Sequence, residues 1–232
     1  LSPVLTAPEG MAKEAPILHT DLKTVDMDEQ TNSVSNIAER TYHKMGDIGK
    51  GFAEADVIVE GEYDFQTVHQ GYIEPQPCTT LWNEDGRITI WCSTQGGFLV
   101  RDFTADRLGV PVSQIKVVPM EIGGGFGGKT EIYLEPVSAL LSKKTGRPVK
   151  MVMTRQEVFE ATGPTPGAHL KVRMGATKNG KIVAADASMA FEAGAFPGSC
   201  LFCANQTVFG AYNIPNVAIE SFDVVVNKPK AA

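Results

Sequence analysis

The run Gly123-Gly124-Gly125-Phe126-Gly127-Gly128-Lys129-Thr130 carries the pattern in this chain most suited to chemistry, since five of the six residues from Gly123 to Gly128 have no side chain. Such a stretch lets backbone N–H groups approach a polar ligand just ahead of a helix N-terminus. Read as G-x-x-x-x-G-K-[ST], it matches the phosphate-binding P-loop. Gly123, Gly125 and Gly128 also satisfy G-x-G-x-x-G, the dinucleotide fingerprint. Every glycine costs backbone entropy on ordering, so tight packing alone explains one or two of them but not five.

The elements around the loop must hold it. Ile115–Pro119 reads as a strand leading into it. Glu131–Lys144 reads as the helix leaving it, with Leu134, Val137, Leu140 and Leu141 on one face and Gly146 as the stop. Phe98–Leu108 is a second amphipathic helix, ended by Gly109 and Pro111. Strands are expected at 57–65, at 79–82 and 88–92 around the turn Asn83–Gly86, at 148–153, at 170–176 and 182–191 around Asn179-Gly180, and at 219–227. Trp82 and Trp91 flank a hairpin and read as core. Helices in the middle with antiparallel strands on either side predict an α+β fold of mixed or antiparallel sheets with two central helices. Residues 1–45, punctuated by Pro3, Pro8 and Pro16 and polar from Asp21 to Asn36, are expected to be an extended arm or linker from a preceding domain, and residues 46–232 the folded part.

Composition bounds the function. The 232 residues are 43% hydrophobic and 21% charged, as in an ordinary soluble globular protein, and the net charge of −6 argues against a nucleic-acid partner. No apolar run approaches the roughly 20 residues that span a bilayer, and no signal-peptide layout is present, so the cytoplasm is expected; Leu1 in place of Met suggests an incomplete or processed start. Cys200-Leu-Phe-Cys203 is a CxxC without a second pair or a His at zinc spacing, and all four cysteines are expected to be reduced and inert. A P-loop enzyme also needs a Walker-B strand ending in Asp. The one candidate, Ile182–Asp186, follows Asn179-Gly180 and so belongs to a hairpin. A dinucleotide fold wants an acidic residue about 20 positions on, where this chain has Met153-Thr154-Arg155.

A third reading draws on the whole chain. Gly61-Glu62-Tyr63, His69 through Glu74-Pro75, Ser93-Thr94-Gln95, Leu108-Gly109-Val110-Pro111, GGGFGGK, Lys144–Val149, Thr154-Arg155-Gln156-Glu157, Gly194-Ala195-Phe196 and Tyr212–Asn216 follow one another in an order and at intervals that resemble the xanthine dehydrogenase/aldehyde oxidase family. The resemblance extends over roughly residues 46–230 and is to the first half of the molybdenum-cofactor-binding region, so a molybdopterin-binding-domain-like fold is implied. It implies that Gln95 hydrogen-bonds an oxygen ligand of the molybdenum centre through its side-chain amide. It also implies that Phe126 approaches the metal's ligand sphere through its main chain, with Gly124, Gly125 and Gly127 keeping the approach open. By the same resemblance, no residue of this chain is expected to ligate the metal directly. Neutral amide and backbone donors suit a buried, electron-rich group without adding charge.

The resemblance also implies what lies elsewhere. The general base and further pterin-binding segments are expected outside this chain, so that it is a truncated piece or one half of a split subunit, with no catalytic residue of its own. Iron–sulfur clusters and FAD are expected on partner domains or chains, with a small-molecule substrate whose C–H is hydroxylated using water. Thr130 stands where xanthine-oxidising members look to carry an acidic, substrate-orienting residue, and this points away from purines. Lys129 is expected to lay its stem on the loop and send its ammonium to solvent or a carboxylate, Glu74 to organise the loop or accept backbone N–H bonds, and His69 to be a polar core residue. A non-catalytic structural or assembly domain, and a P-loop or dinucleotide enzyme, remain the alternatives.

Overall fold

A computed structural model describes residues 2–232, which form two compact units: residues 2–68 with 166–231, and His69–Thr165 with Ala232.

The first unit is built on a seven-stranded mixed sheet. Its strands are β1 (Lys23–Asp26), β2 (Glu29–Val34), β3 (Ile37–Met45), β4 (Val57–Phe65), β9 (Ala168–Ala176), β10 (Ile182–Gly194) and β11 (Val217–Val225), in the order β2-β1-β3-β11-β10-β9-β4. The β9–β10 hairpin closes through Asn179-Gly180 as expected, with Gly180 at φ +83°. Along β10, Ala185, Ala187, Met189 and Phe191 alternate into a core with Val217, Ile219 and Leu201, the last from α6 (Leu201–Thr207). β11 runs parallel to β10 and antiparallel to β3.

The described part of the expected arm, residues 2–45, is therefore not extended. Beyond α1 (Ala7–Met11) it supplies three strands, β3 pairs with β11 from Ile37↔Val224 to Met45↔Val217, and α2 (Ile48–Ala53) follows. The polar residues that suggested a linker sit on a solvated strand face. There Arg40 on β3 binds Glu220 on β11 at 2.6 Å and Asp26 on β1 at 3.3 Å. The CxxC lies at the start of α6, where Cys200 is the cap residue and both thiols are exposed rather than buried.

The second unit has a four-stranded sheet, β5 (Pro77–Trp82), β6 (Ile88–Cys92), β7 (Ile115–Pro119) and β8 (Val149–Val152), in the order β7-β6-β5-β8. Two helices, α3 (Gly97–Leu108) and α4 (Glu135–Thr145), pack on it and on each other, and α5 (Arg155–Ala161) follows β8. Both central helices end at a left-handed glycine, Gly109 and Gly146, each at φ +63°. α4 begins at Glu135 rather than Glu131 because Pro136, lacking an N–H, fits only the first helical turn.

The expected apolar face of α4 is turned outward except at its cap residue, Leu134, which packs against the core. Val137, Leu140 and Leu141 are exposed, whereas Glu135, Ser138, Ala139 and Ser142 are buried. Small residues let the helix lie close to β5, where Ser138 Oγ meets Thr80 Oγ1 at 2.6 Å and Ser142 Oγ accepts the Trp82 N–H at 2.9 Å. On α3, Val100 and Ala105 are buried as expected, while Phe98 and Phe103 face solvent.

Candidate cofactor-binding site

β6 and β7 are parallel neighbours, paired up to Cys92↔Pro119. The segments that leave their carboxyl ends, Ser93-Thr94-Gln95 and the glycine loop, therefore emerge side by side. The carboxyl ends of parallel strands are where open sheets place their ligand sites. Gln95 is tied to the loop through both its backbone and its side chain. Its N–H donates to Lys129 O at 2.9 Å, and its Oε1 accepts the N–H groups of Gly127 (2.9 Å) and Lys129 (3.2 Å). Because both partners are donors, the side-chain atom facing them is the oxygen. The Nε2 amino group, with two N–H donors, makes no bond among the described residues.

The loop backbone is turned by positive φ at Gly124 (+95°), Phe126 (+51°) and Gly127 (+94°). A left-handed conformation costs a residue with a Cβ about 1–2 kcal/mol, and Phe126 adopts it while 74% exposed. Gly128 N–H donates to Gly125 O at 2.8 Å, and the Thr130 hydroxyl turns back to donate to Gly127 O at 2.9 Å. The N–H groups of Gly124, Gly125 and Phe126 donate to nothing among the described residues. Several glycines are required by contact: a Cβ on Gly125 would overlap Gln95 Oε1, one on Gly123 would lie 2.5 Å from Glu74 Cβ, and one on Gly128 2.8 Å from the Tyr72 ring.

Beneath the loop lies an ion pair whose lysine is fully buried and whose carboxylate is 30% exposed. Lys129 Nζ donates to Glu74 Oε2 at 2.6 Å and to Ser93 Oγ at 3.2 Å, and its side chain has no exposure. The same Glu74 oxygen accepts the Ser93 hydroxyl (2.5 Å) and the Gly123 N–H (2.8 Å). Burial alone would raise the Glu74 carboxyl, but the bonds from Lys129, Ser93 and Gly123 hold it below its ordinary value. The Lys129 ammonium also lies 5.1 Å from the Tyr72 ring centroid. Sequence reasoning missed Tyr72 and Gln76, which support the loop from below: Gln76 Nε2 donates to Gly128 O at 2.9 Å and to the Tyr72 hydroxyl at 3.0 Å. Their closeness to the Glu74-Pro75 motif was the available signal.

His69 is a structural residue. Its Nδ1 accepts the Gly71 N–H at 3.0 Å and its Nε2 meets Thr162 Oγ1 at 2.9 Å, while burial first and then the charge of Arg155 lower its pKa. The two nucleotide readings fail on geometry. A P-loop lysine must reach phosphates, and Lys129 is sealed beneath the loop in a carboxylate pair. A dinucleotide unit needs β7 and β8 adjacent and parallel, whereas β6 and β5 separate them and β8 is antiparallel to β5.

Fold and site together define a glycine cradle with uncharged donors, carried at the carboxyl ends of parallel strands in an α+β chain. Residues 28–232 match the molybdopterin cofactor-binding domain, and the chain belongs to that family. It is 27% identical over 232 residues to the nicotinate dehydrogenase large molybdopterin subunit of Eubacterium barkeri, with 99% of this chain and 52% of that protein covered. It is 34% identical over 219 residues to the xanthine dehydrogenase/oxidase of Gallus gallus, with 91% and 16% covered. Among solved structures it resembles the aldehyde oxidoreductase of Desulfovibrio gigas at a TM-score of 0.78 and 26% identity, covering 100% of this chain and 25% of that one. The chain thus spans about half of the first of these proteins and less of the other two. No helix among the described residues is long and apolar enough to cross a membrane.

Proposed function

We propose that this chain is the part of a molybdenum hydroxylase that cradles the molybdopterin cofactor through Gln95 and the loop residues Gly124, Gly125, Phe126 and Gly127. One observation carries the reading: among the described residues Gln95 spends its carbonyl on the loop while its amino group, and three backbone N–H groups beside it, have no partner. Such a set suits an oxygen-rich, negatively charged group, because it offers several donors without adding charge. At Gly127 a Cβ would meet nothing within 4 Å, so the space beside the main chain there is open to a ligand.

When bound, the molybdenum-pterin group supplies the two-electron redox chemistry by which a water-derived oxygen enters a C–H bond. This chain contributes holding and orientation. Glu74, the carboxylate nearest the loop, is committed to Lys129, Ser93 and Gly123, so the general base is assigned to residues outside this chain. Thr130 is neutral and its hydroxyl is turned back on the loop. The favoured substrate is therefore an aldehyde or a neutral N-heteroaromatic rather than a purine held by a charge at that position. The rest of the molybdenum subunit, iron–sulfur and FAD-bearing domains or chains, and a cytoplasmic location complete the proposal.

Metal analysis tests it. Purified with its natural partners as an active complex, the chain should carry molybdenum and pterin, and an active complex without either would sink the reading.

A further inference from the structure

We infer that Glu74 and Lys129 are positioning residues of the cradle: their ion pair locks the two ends of the glycine loop together and thereby fixes how Gln95 is presented. One carboxylate oxygen, Glu74 Oε2, binds the loop's entry at the Gly123 N–H and its exit at Lys129 Nζ. The Glu74 N–H also donates back to Gly123 O at 3.2 Å. From the exit the constraint passes through Lys129's own backbone, whose N–H and C=O both bond to Gln95. Ser93, two residues before Gln95, donates to the same carboxylate and receives the lysine. Thr94 Oγ1 donates to Lys129 O at 3.0 Å, so three consecutive residues of the Gln95 segment are tied to this one lysine.

Hydrogen bonds to charged groups are shorter and roughly twice as strong as neutral ones. A loop of glycines has no side chains to pack, so nothing else of comparable strength sets its shape. The lysine is neither a ligand of the bound group nor a solubilising charge, because its side chain is wholly buried. Among the described residues the groups bonded to or stacked on the pair are Ser93, Gly123 and the Tyr72 ring.

The proposal rests on the cofactor reading only for what the cradle holds, and its test needs no cofactor. Amide hydrogen exchange and NMR of the 232-residue chain are compared in wild type, Glu74→Gln and the double variant Glu74→Gln/Lys129→Met. Glu74→Gln leaves the buried Lys129 ammonium without its counter-charge and destabilises broadly, whereas the double variant removes that orphan charge as well. The double variant therefore separates positioning from folding. It should keep the β5 and β6 amides protected while the Gly127 and Lys129 amides exchange roughly ten- to a hundredfold faster, the range for lost charge-assisted bonds. The Gln95 side-chain NH₂ resonances should shift with them. Loop exchange and Gln95 resonances at wild-type values would overturn the proposal. So would an equal loss of protection across β5, β6 and the loop, the mark of a pair that only stabilises the fold. Either failure leaves the cofactor reading standing, since that is decided by molybdenum content.

Discussion

Ser138 Oγ and Thr80 Oγ1 meet at 2.6 Å inside the second unit, and this contact fixes which way helix α4 faces. Both residues have no exposed surface, while Leu140, two positions along the helix, is 54% exposed. The hydroxyl of Ser138 donates to Glu135 O at 3.0 Å and so accepts from Thr80, with the Cys78 thiol as a second donor at 3.2 Å. A bulky leucine could not occupy that space without pushing the helix off β5. The helix that leaves the glycine loop is thus seated by small hydroxyl residues.

The usual ranking of core and surface substitutions should reverse on α4. Ser138→Ala strands the buried Thr80 hydroxyl and should cost about 1–3 kcal/mol. Leu140→Gln should stay within about 0.5 kcal/mol, as exposed substitutions do. Urea unfolding followed by tryptophan fluorescence reads this unit alone, because both tryptophans, Trp82 and Trp91, lie in it. A larger loss for Leu140→Gln than for Ser138→Ala would contradict the helix orientation.

What was legible in the sequence was local. Asn179-Gly180 announces its hairpin because few residues other than Gly accept φ +83°. Gly109 and Gly146 announce helix ends for the same reason. Residues 23–45 were illegible as strands because their charges are balanced by residues far along the chain: Arg40 meets Glu220 across 180 positions. Periodicity located the apolar stripe of α4 but could not show that hydroxyl pairs would select the opposite face. At the site, the glycine pattern and Gln95 were visible, but the Glu74–Lys129 pair spans 55 positions and exists only once β6 and β7 lie parallel.

Two glycine substitutions in the loop should fail in different ways. Gly125→Ala places a Cβ on Gln95 Oε1, the movable end of a side chain. It should displace Gln95 and cost about 1–2 kcal/mol for two lost hydrogen bonds. Gly127→Ala meets nothing within 4 Å but must hold φ +94°, at about 1–2 kcal/mol of backbone strain. The Gln95 side-chain NMR signals separate them, moving strongly in the first variant and little in the second. Matching shifts in both would show that steric contact with Gln95 is not what Gly125 avoids.

Acid should loosen the loop before it unfolds the sheet. The folded Glu74 carboxyl lies below its ordinary value of 4.5, so its contribution is fully present above that value and is lost as pH falls through the lower folded pKa. Glu135 in the same unit acts oppositely, since burial raises its carboxyl and stabilises the fold toward lower pH. Comparing wild type with Glu74→Gln isolates the first effect. The difference in their urea midpoints should be constant from pH 7 to about 5 and shrink below 4.5. A difference that grows on acidification would mean that the carboxylate is not held in its charged form.

The four thiols should divide into two pairs. Burial pushes Cys78 up to about 11 and Cys92 up to about 12, where neither forms appreciable thiolate near pH 8. Cys200 and Cys203 are exposed, although desolvation raises the Cys200 thiol. A thiol–disulfide colour reagent at pH 8 should therefore titrate two of the four cysteines in the native chain and all four in denaturant. Because Cys78 on β5 is paired with Cys92 on β6, reaction of either before unfolding would report opening of the strand pair that leads to Gln95.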